Sequence, residues 1–280
     1  MRFDCHMHTH LCGHAHGRPE EYVHKAQERG INLITFTCHI PMEGNGFLQE
    51  GIRMNRSELS YYKVLVKRAQ ETGESLGIQV LYGIEAEVFP EDERLASMKE
   101  LLKEESFDFI LGSLHHQLPV YRRWLNKHRM RSDREIIHAY FQHLGDGAAS
   151  GCYHSMSHPD LIRIYGTVDW FEPADHEAII KKFLETLVEN KVCMEVNTSG
   201  LSKGVYEVHP DPLILRWAQA LGVHLTLGSD SHRPEQIGQH FPNVLQLLDN
   251  IGFSSLSYFK QGYRIEVPMN EILTEHQGNR

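Results

Sequence analysis

Two imidazoles open the chain. In Asp4-Cys5-His6-Met7-His8 they stand two residues apart. Extended backbone turns that spacing to one face, with Asp4 in line behind them. Two neutral imidazoles aimed at one point make half of a metal site. A His-x-His pair alone reads equally well as a polar strand with incidental histidines, so the other residues of metal-binding type decide. His39, Glu85, His115, His158, Asp230 and His232 each follow a short apolar, strand-like run, and His14 lies in the glycine-punctuated loop after the first. With His6 and His8 they make seven imidazoles and two carboxylates. Imidazoles have no reason to gather in a core unless cations bind them. Nine ligands exceed the four or five that one ion takes, which calls for two or three ions. A carboxylate such as Glu85 can bridge two ions, as an imidazole cannot.

The elements between these residues must bring them together. Pro19 to Arg29 reads as a helix, with proline in its first turn, an apolar stripe of Tyr22, Val23 and Ala26, and Gly30 as its cap. Further helices are predicted at 57–72, 91–105, near 133–144, at 174–190, and from Pro210 to Ala220 with Gly222 as cap. Strands are predicted at the N-terminus, at 31–38, 78–82 and 107–114, around Tyr153–His158, at 192–197, and from Val223. Seven strands, most separated by helices, predict a parallel α/β sheet. An open sheet would collect ligands at one switch point. Polar residues at nearly every strand end instead predict a closed barrel with its site at the C-terminal mouth. The chain reads as one domain over 1–280, with a small β-rich addition at Tyr263–Val267.

Composition narrows the function classes. At 280 residues, 41% hydrophobic and 23% charged, the chain suits one large α/β barrel. No run approaches the roughly 18 apolar residues of a membrane span, and the first residues lack a signal-peptide pattern. The five cysteines are odd in number and form no Cys-x-x-Cys pair, which fits a reducing, cytoplasmic setting. A net charge of −9 argues against a nucleic-acid partner held by a basic surface. The 20 histidines include no terminal run, so a purification tag does not explain them.

In order along the chain stand Asp4-Cys-His6-Met-His8, His14, Thr37-Cys38-His39, Gly83-Ile-Glu85, Gly112-Ser-Leu-His115, Ser157-His158-Pro159 and Gly228-Ser-Asp230-Ser-His232. This set resembles the PHP (polymerase and histidinol phosphatase) family over residues 4 to 232. The resemblance implies a distorted seven-stranded (β/α)7, TIM-like barrel holding three divalent metal ions. It assigns His6, His8, Glu85 and Asp230 to one ion. Glu85, His115 and His158 go to a second, and His14, His39 and His232 to a third. The choice of His14 over His10 or His16 rests on the family's spacing from His8. Cys38 departs from the pattern, which often has an acidic residue there. Zn, Mn and Fe are all compatible with mixed imidazole and carboxylate ligands. Adjacent divalent ions lower the pKa of a shared water toward about 7 and take up charge on phosphoryl oxygens. Asp230 or His232 is further expected to carry a proton to the leaving oxygen.

The segments Ser157-His-Pro-Asp-Leu-Ile-Arg163 and Glu195-Val-Asn-Thr-Ser-Gly-Leu201 resemble the histidinol-phosphatase branch. That resemblance implies hydrolysis of L-histidinol phosphate in histidine biosynthesis, with Arg163 on the substrate phosphate. The branch usually carries Arg-Lys after Gly-Leu, where this chain has Ser202-Lys203, so Lys203 is expected to stand in as a phosphate ligand. The expected partner is a small phosphate monoester; no oligomeric state is implied. Other readings are a PHP phosphoesterase acting on another small ester, a nucleotide or an oligonucleotide 5′ end, and a non-catalytic metal-binding module. His10, His16, His24, His116 and His154 read as supporting or solvent-facing residues, Cys5 and Cys12 as packing residues, and Asp4 as a group orienting an imidazole. The basic run from Arg122 to Arg131 is either a solvated face or a mobile cover that draws in anions.

Overall fold

The chain alternates strand and helix as its apolar runs require. β1 (Phe3–Met7) is followed by α1 (Pro19–Glu28), β2 (Leu33–Phe36), α2 (Leu59–Leu76), β3 (Gln79–Glu87), α3 (Asp92–Leu102) and β4 (Phe109–Ser113). Next come α4 (Pro119–Lys127), α5 (Asp133–Ala149), β5 (Ser155–Met156), α6 (Glu177–Asn190), β6 (Cys193–Asn197), α7 (Pro212–Leu221) and β7 (Leu225–Gly228). The chain ends with α8 (Phe241–Ile251), the hairpin β8 (Ser255–Lys260) and β9 (Tyr263–Pro268), and a last turn of helix, α9 (Met269–Thr274). The computed structural model describes residues 1–42 and 52–274.

The first seven strands pair in chain order, each parallel to the next. A parallel bridge between Met7 and Ser231, with His8 N donating to Ser231 O at 2.8 Å, brings the two edges together. The result is a nearly closed seven-stranded barrel ringed by helices. It has the α/β class, strand number and order that the sequence implies. Burial explains the strand composition: every residue of β1, β2 and β6 is buried, as strands covered by helices outside and filled inside must be. Cys5 and Met7 join the apolar layer under the helices, leaving Asp4 and His6 to the interior.

Several boundaries differ from the predicted ones. β3 runs on through Glu87, which carries Glu85 inside the sheet rather than beyond it. α5 continues to Ala149 through what reads as a glycine-rich break. A Cβ on Gly147 would come within 2.8 Å of Val88 Cγ1, so the missing side chain is what lets this helix lie close to the barrel. The basic run forms most of α4, docked through buried Tyr121 and Leu125, with Trp124 stacked on His128. Gly77 and Gly222 cap α2 and α7 with φ of 71° and 77°.

The terminal hairpin covers the N-terminal end of the barrel. Tyr258 meets Phe3 and Phe259 meets Phe109, at ring-centroid distances of 5.5 and 5.3 Å. His154 belongs to this end: its Nδ1 accepts from Ile110 N at 3.0 Å and its ring stacks on Phe259. It is therefore far from the strand ends that carry the other imidazoles. Among the described residues no helix is long and apolar enough to cross a membrane.

Candidate metal centre

Glu85 is the hub. It is buried on β3, and its two oxygens face different rings. Oε2 lies 3.7 Å from both His6 Nε2 and His8 Nε2, and 2.6 Å from His39 Nδ1. Oε1 lies 3.6 Å from His115 Nε2 and 3.4 Å from His158 Nε2, and accepts a hydrogen bond from Ser113 Oγ at 2.5 Å. Asp230 enters from the turn after β7. Its Oδ1 stands 3.6 Å from His6 Nε2 and 3.2 Å from His8 Nε2, and those two nitrogens are 3.1 Å apart.

These separations can be compared with an ion's demands. Bonds of about 2.1 Å to one tetrahedral ion place its ligand atoms about 3.4 Å from one another. Among His6 Nε2, His8 Nε2, Glu85 Oε2 and Asp230 Oδ1, the five distances given above run from 3.1 to 3.7 Å. His39 Nδ1 and Glu85 Oε2 lie close, yet neither makes a hydrogen bond, and His232 Nε2 is also buried without a partner. Bare buried polar atoms carry a free-energy cost that a cation between them removes. The donor set fits divalent ions.

His14 and His232 complete the rim. Their ring centroids are 4.4 Å apart, and His39 lies 5.6 Å from His14 and 6.4 Å from His232. Both present Nε2, because His14 Nδ1 meets Cys12 O and His232 Nδ1 meets Asp230 O, each at 3.0 Å. Burial depresses the His14 and His39 imidazoles and pushes His232 down to about 3, so these rings stay neutral and keep their lone pairs. His6 differs. Burial disfavours its charge, but Glu195, Asp230 and Glu85 outweigh that and raise it well above its ordinary value. Burial likewise opposes charge on Glu85, but the polar imidazoles around it, His39 and His6 first and then His158, outweigh that and hold its carboxyl well down.

Two of these residues have strained backbones: φ is +23° at His158 and +51° at Asp230. Such conformations cost about 1–3 kcal/mol in non-glycine residues and persist where surrounding contacts enforce them. His158 N is held by Glu195 Oε2 at 3.0 Å. Asp230 Oδ2 is held by Ser199 Oγ at 3.1 Å and Lys203 Nζ at 3.0 Å.

The PHP-domain model matches residues 4–199, which include seven of the nine residues above. The chain belongs to the PHP family. Its relatives include a protein of Deinococcus radiodurans named probable histidinol-phosphatase, 28% identical over 91% of this chain and 95% of that one. The histidinol-phosphatase of Lactococcus lactis is 23% identical, over 95% and 96%. The crystal structure of histidinol phosphate phosphatase from Lactococcus lactis, complexed with Zn, L-histidinol and phosphate, superposes with a TM-score of 0.76. It is 20% identical over 94% of this chain and 98% of that one. At that identity the superposition speaks for the barrel.

Around the PHP residues stands a second layer that the motif reading did not assign. Glu195, wholly enclosed in the barrel, orients His6 by a 2.7 Å contact to Nδ1. Its other oxygen accepts from Ser157 Oγ, His158 N and Asn197 Nδ2 at 2.7, 3.0 and 3.1 Å. Glu87 does the same for His115 Nδ1 at 2.8 Å and is itself paired with buried Arg53. Glu87 was within reach of the sequence, since it shares a strand face with Glu85 two residues earlier. Asp4 has a different task from orienting a ring. It accepts from Ser229 N and Gly238 N, both at 2.9 Å, and ties the turn after β7 to β1. Glu195→Gln should lower metal affinity about 10–100-fold, measured as the metal retained on dialysis against a competing chelator. Full retention would refute that role.

Lys203 and Arg163 part company. Lys203 reaches Asp230 at the mouth. Arg163 pairs with Asp160 at 2.9 Å and Glu207 at 2.8 Å, and also donates to Val208 O. These partners take up its guanidinium, so a phosphate must compete with two carboxylates there. His116 is spoken for by Thr167 Oγ1 and Leu161 O at 2.6 and 2.9 Å. His10, His16 and His24 face solvent.

Proposed function

We propose that this PHP protein is a metal-dependent phosphomonoesterase that hydrolyses L-histidinol phosphate to L-histidinol and phosphate. One observation carries the enzyme reading: imidazoles and carboxylates from separate strand ends converge on Glu85 at ligand-to-ligand distances. The relatives named above support the substrate, because they align over more than nine-tenths of both chains. Three divalent ions fit the donor set: His6, His8, Glu85 and Asp230 for the first, Glu85, His115 and His158 for the second, and His14, His39 and His232 for the third. Such ions supply Lewis-acid charge for the phosphoryl oxygens and make a water acidic enough to attack near neutral pH.

The remaining work falls to the chain. Lys203 places a cation beside Asp230, where it binds a phosphoryl oxygen and balances charge as the ester bond breaks. Asp230 and His232 stand at the mouth as carriers of the proton that the departing alkoxide takes up. Glu195 and Glu87 hold His6 and His115 in one tautomer and one direction. Lys203→Ala should raise KM about tenfold or more with bound metal unchanged, because it removes anion binding and no ion ligand. Loss of metal in that variant would assign Lys203 a structural role instead.

The decisive experiment compares kcat/KM for histidinol phosphate, AMP, sugar phosphates and a 5′-phosphorylated oligonucleotide on enzyme loaded with Mn or Zn. Histidinol phosphate should lead. A preference of about tenfold or more (1.4 kcal/mol) for another ester would overturn the substrate. Absence of metal-dependent hydrolysis would overturn the enzyme. The α4 run belongs in the same assay. If Arg122, Arg123 and Lys127 draw anions toward the mouth, neutralising them lowers kcat/KM and flattens its salt dependence. An unchanged salt profile makes them a solvated face.

A further inference from the structure

Sulfur stands at the third corner of the mouth. Cys12 ends the 3₁₀ turn His10–Cys12, and its side chain is wholly buried although His10, Gly13 and His14 around it are exposed. Gly13, at φ +81°, turns the chain back so that His14 comes over the site. The Cys12 Sγ and one ring nitrogen each of His14 and His232 all lie within 4.8 Å of one another. Cys12 also uses its own carbonyl to hold His14 Nδ1, so one turn of chain presents the sulfur and aims the ring beside it.

His232 Nε2 is buried there with no hydrogen-bond partner. A second observation comes from His8, whose ring is completely enclosed and whose Nδ1 also lacks a partner. It groups within 4.8 Å of both Cys12 Sγ and Cys38 Sγ. Bare imidazole nitrogens packed against thiols differ from ordinary cysteine packing, in which apolar groups surround the sulfur.

We propose that Cys12 Sγ joins His14 and His232 as a ligand of the ion at this corner, giving it a sulfur-containing set that the other positions lack. Binding is a simple exchange: the Cys12 thiol releases its proton to solvent and the sulfur takes the ion, with no change of oxidation state. A thiolate beside imidazoles selects a zinc-class ion over magnesium or manganese, which prefer oxygen. The corner therefore takes zinc or cobalt even when manganese is supplied to the rest of the cluster. The assignment rests on the divalent-ion reading of the site and not on which ester is hydrolysed, so failure of the substrate assay leaves it standing. Cys38 serves as the control. Thr9 Oγ1 donates to its sulfur at 3.2 Å, and Cys38 in turn faces Thr9 O at 3.6 Å.

Cobalt reports on this directly. Full-length protein stripped of metal and reloaded with Co(II), without substrate, should show a thiolate-to-cobalt charge-transfer band in the near ultraviolet. The band should vanish in Cys12→Ser and persist in Cys38→Ser. Absence of the band from the parent protein overturns the proposal, and so does its survival in Cys12→Ser or its loss in Cys38→Ser alone. If Cys12→Ser fails to fold, X-ray absorption at the zinc edge of the parent decides. A sulfur scatterer at about 2.3 Å supports the assignment, and a shell of nitrogen and oxygen alone refutes it.

Discussion

Glu85→Gln lowers kcat/KM on the order of 10³-fold and releases bound metal, in the expected result of pairing steady-state kinetics with metal analysis. The side chain keeps its size and can still accept from Ser113 Oγ, so the change isolates charge. That charge stands within 3.7 Å of five imidazoles: His6, His8 and His39 through Oε2, His115 and His158 through Oε1. No other carboxylate among the described residues stands within 4 Å of so many imidazoles. Removing it takes one ligand from two proposed ion positions at once. Full metal content in Glu85→Gln, with turnover within about tenfold of the parent, would show that Glu85 bridges nothing.

Gly228→Ala is expected to damage both stability and the site. A Cβ on Gly228 would sit 2.2 Å from Glu195 Oε1 and 2.5 Å from His6 Cβ. Neither neighbour is a free chain end. Glu195 is pinned by His6, Ser157, His158 and Asn197, and His6 Cβ is attached to the backbone of β1. Overpacking of this kind costs about 3 kcal/mol, which in a chain of this size lowers Tm by roughly 6–12 °C. Activity should fall with it, since the displaced groups are His6 and the carboxylate that aims it. Thermal melts of the two metal-free proteins check the first effect. An unchanged Tm would mean that β1 and β7 can separate without cost.

How much of this was legible in advance follows from the range of the interactions involved. His6 and His8 were paired by strand alternation alone, and the glycine caps at Gly77 and Gly222 by local backbone conformation. Both are short-range effects. The extent of β3 was not legible, because Gly83 in its middle looks like a break until Phe36 and Phe109 close in on it from both sides. Nor was the helical course of Gly145 to Ala149, which the packing of Gly147 on Val88 sustains. Arg163 shows the same limit from the side of its partners. Its type suits phosphate, but Asp160, three residues before it, and Glu207, far along the chain, reach it first.

The amino-acid sequence by itself determined the barrel class and the set of side chains at its mouth. Strands alternating with helices favour parallel pairing, and a residue just past a strand end of a closed barrel stands at its mouth. The tertiary structure alone decided how those side chains divide their work. Which oxygen of Glu85 faces which ring, why Glu195 and not Asp4 holds the His6 ring, and how Cys12 comes beside His14 and His232 all depend on contacts across the barrel. Such contacts join residues as far apart as His6 and Glu195, and their distances and angles are set by packing in three dimensions.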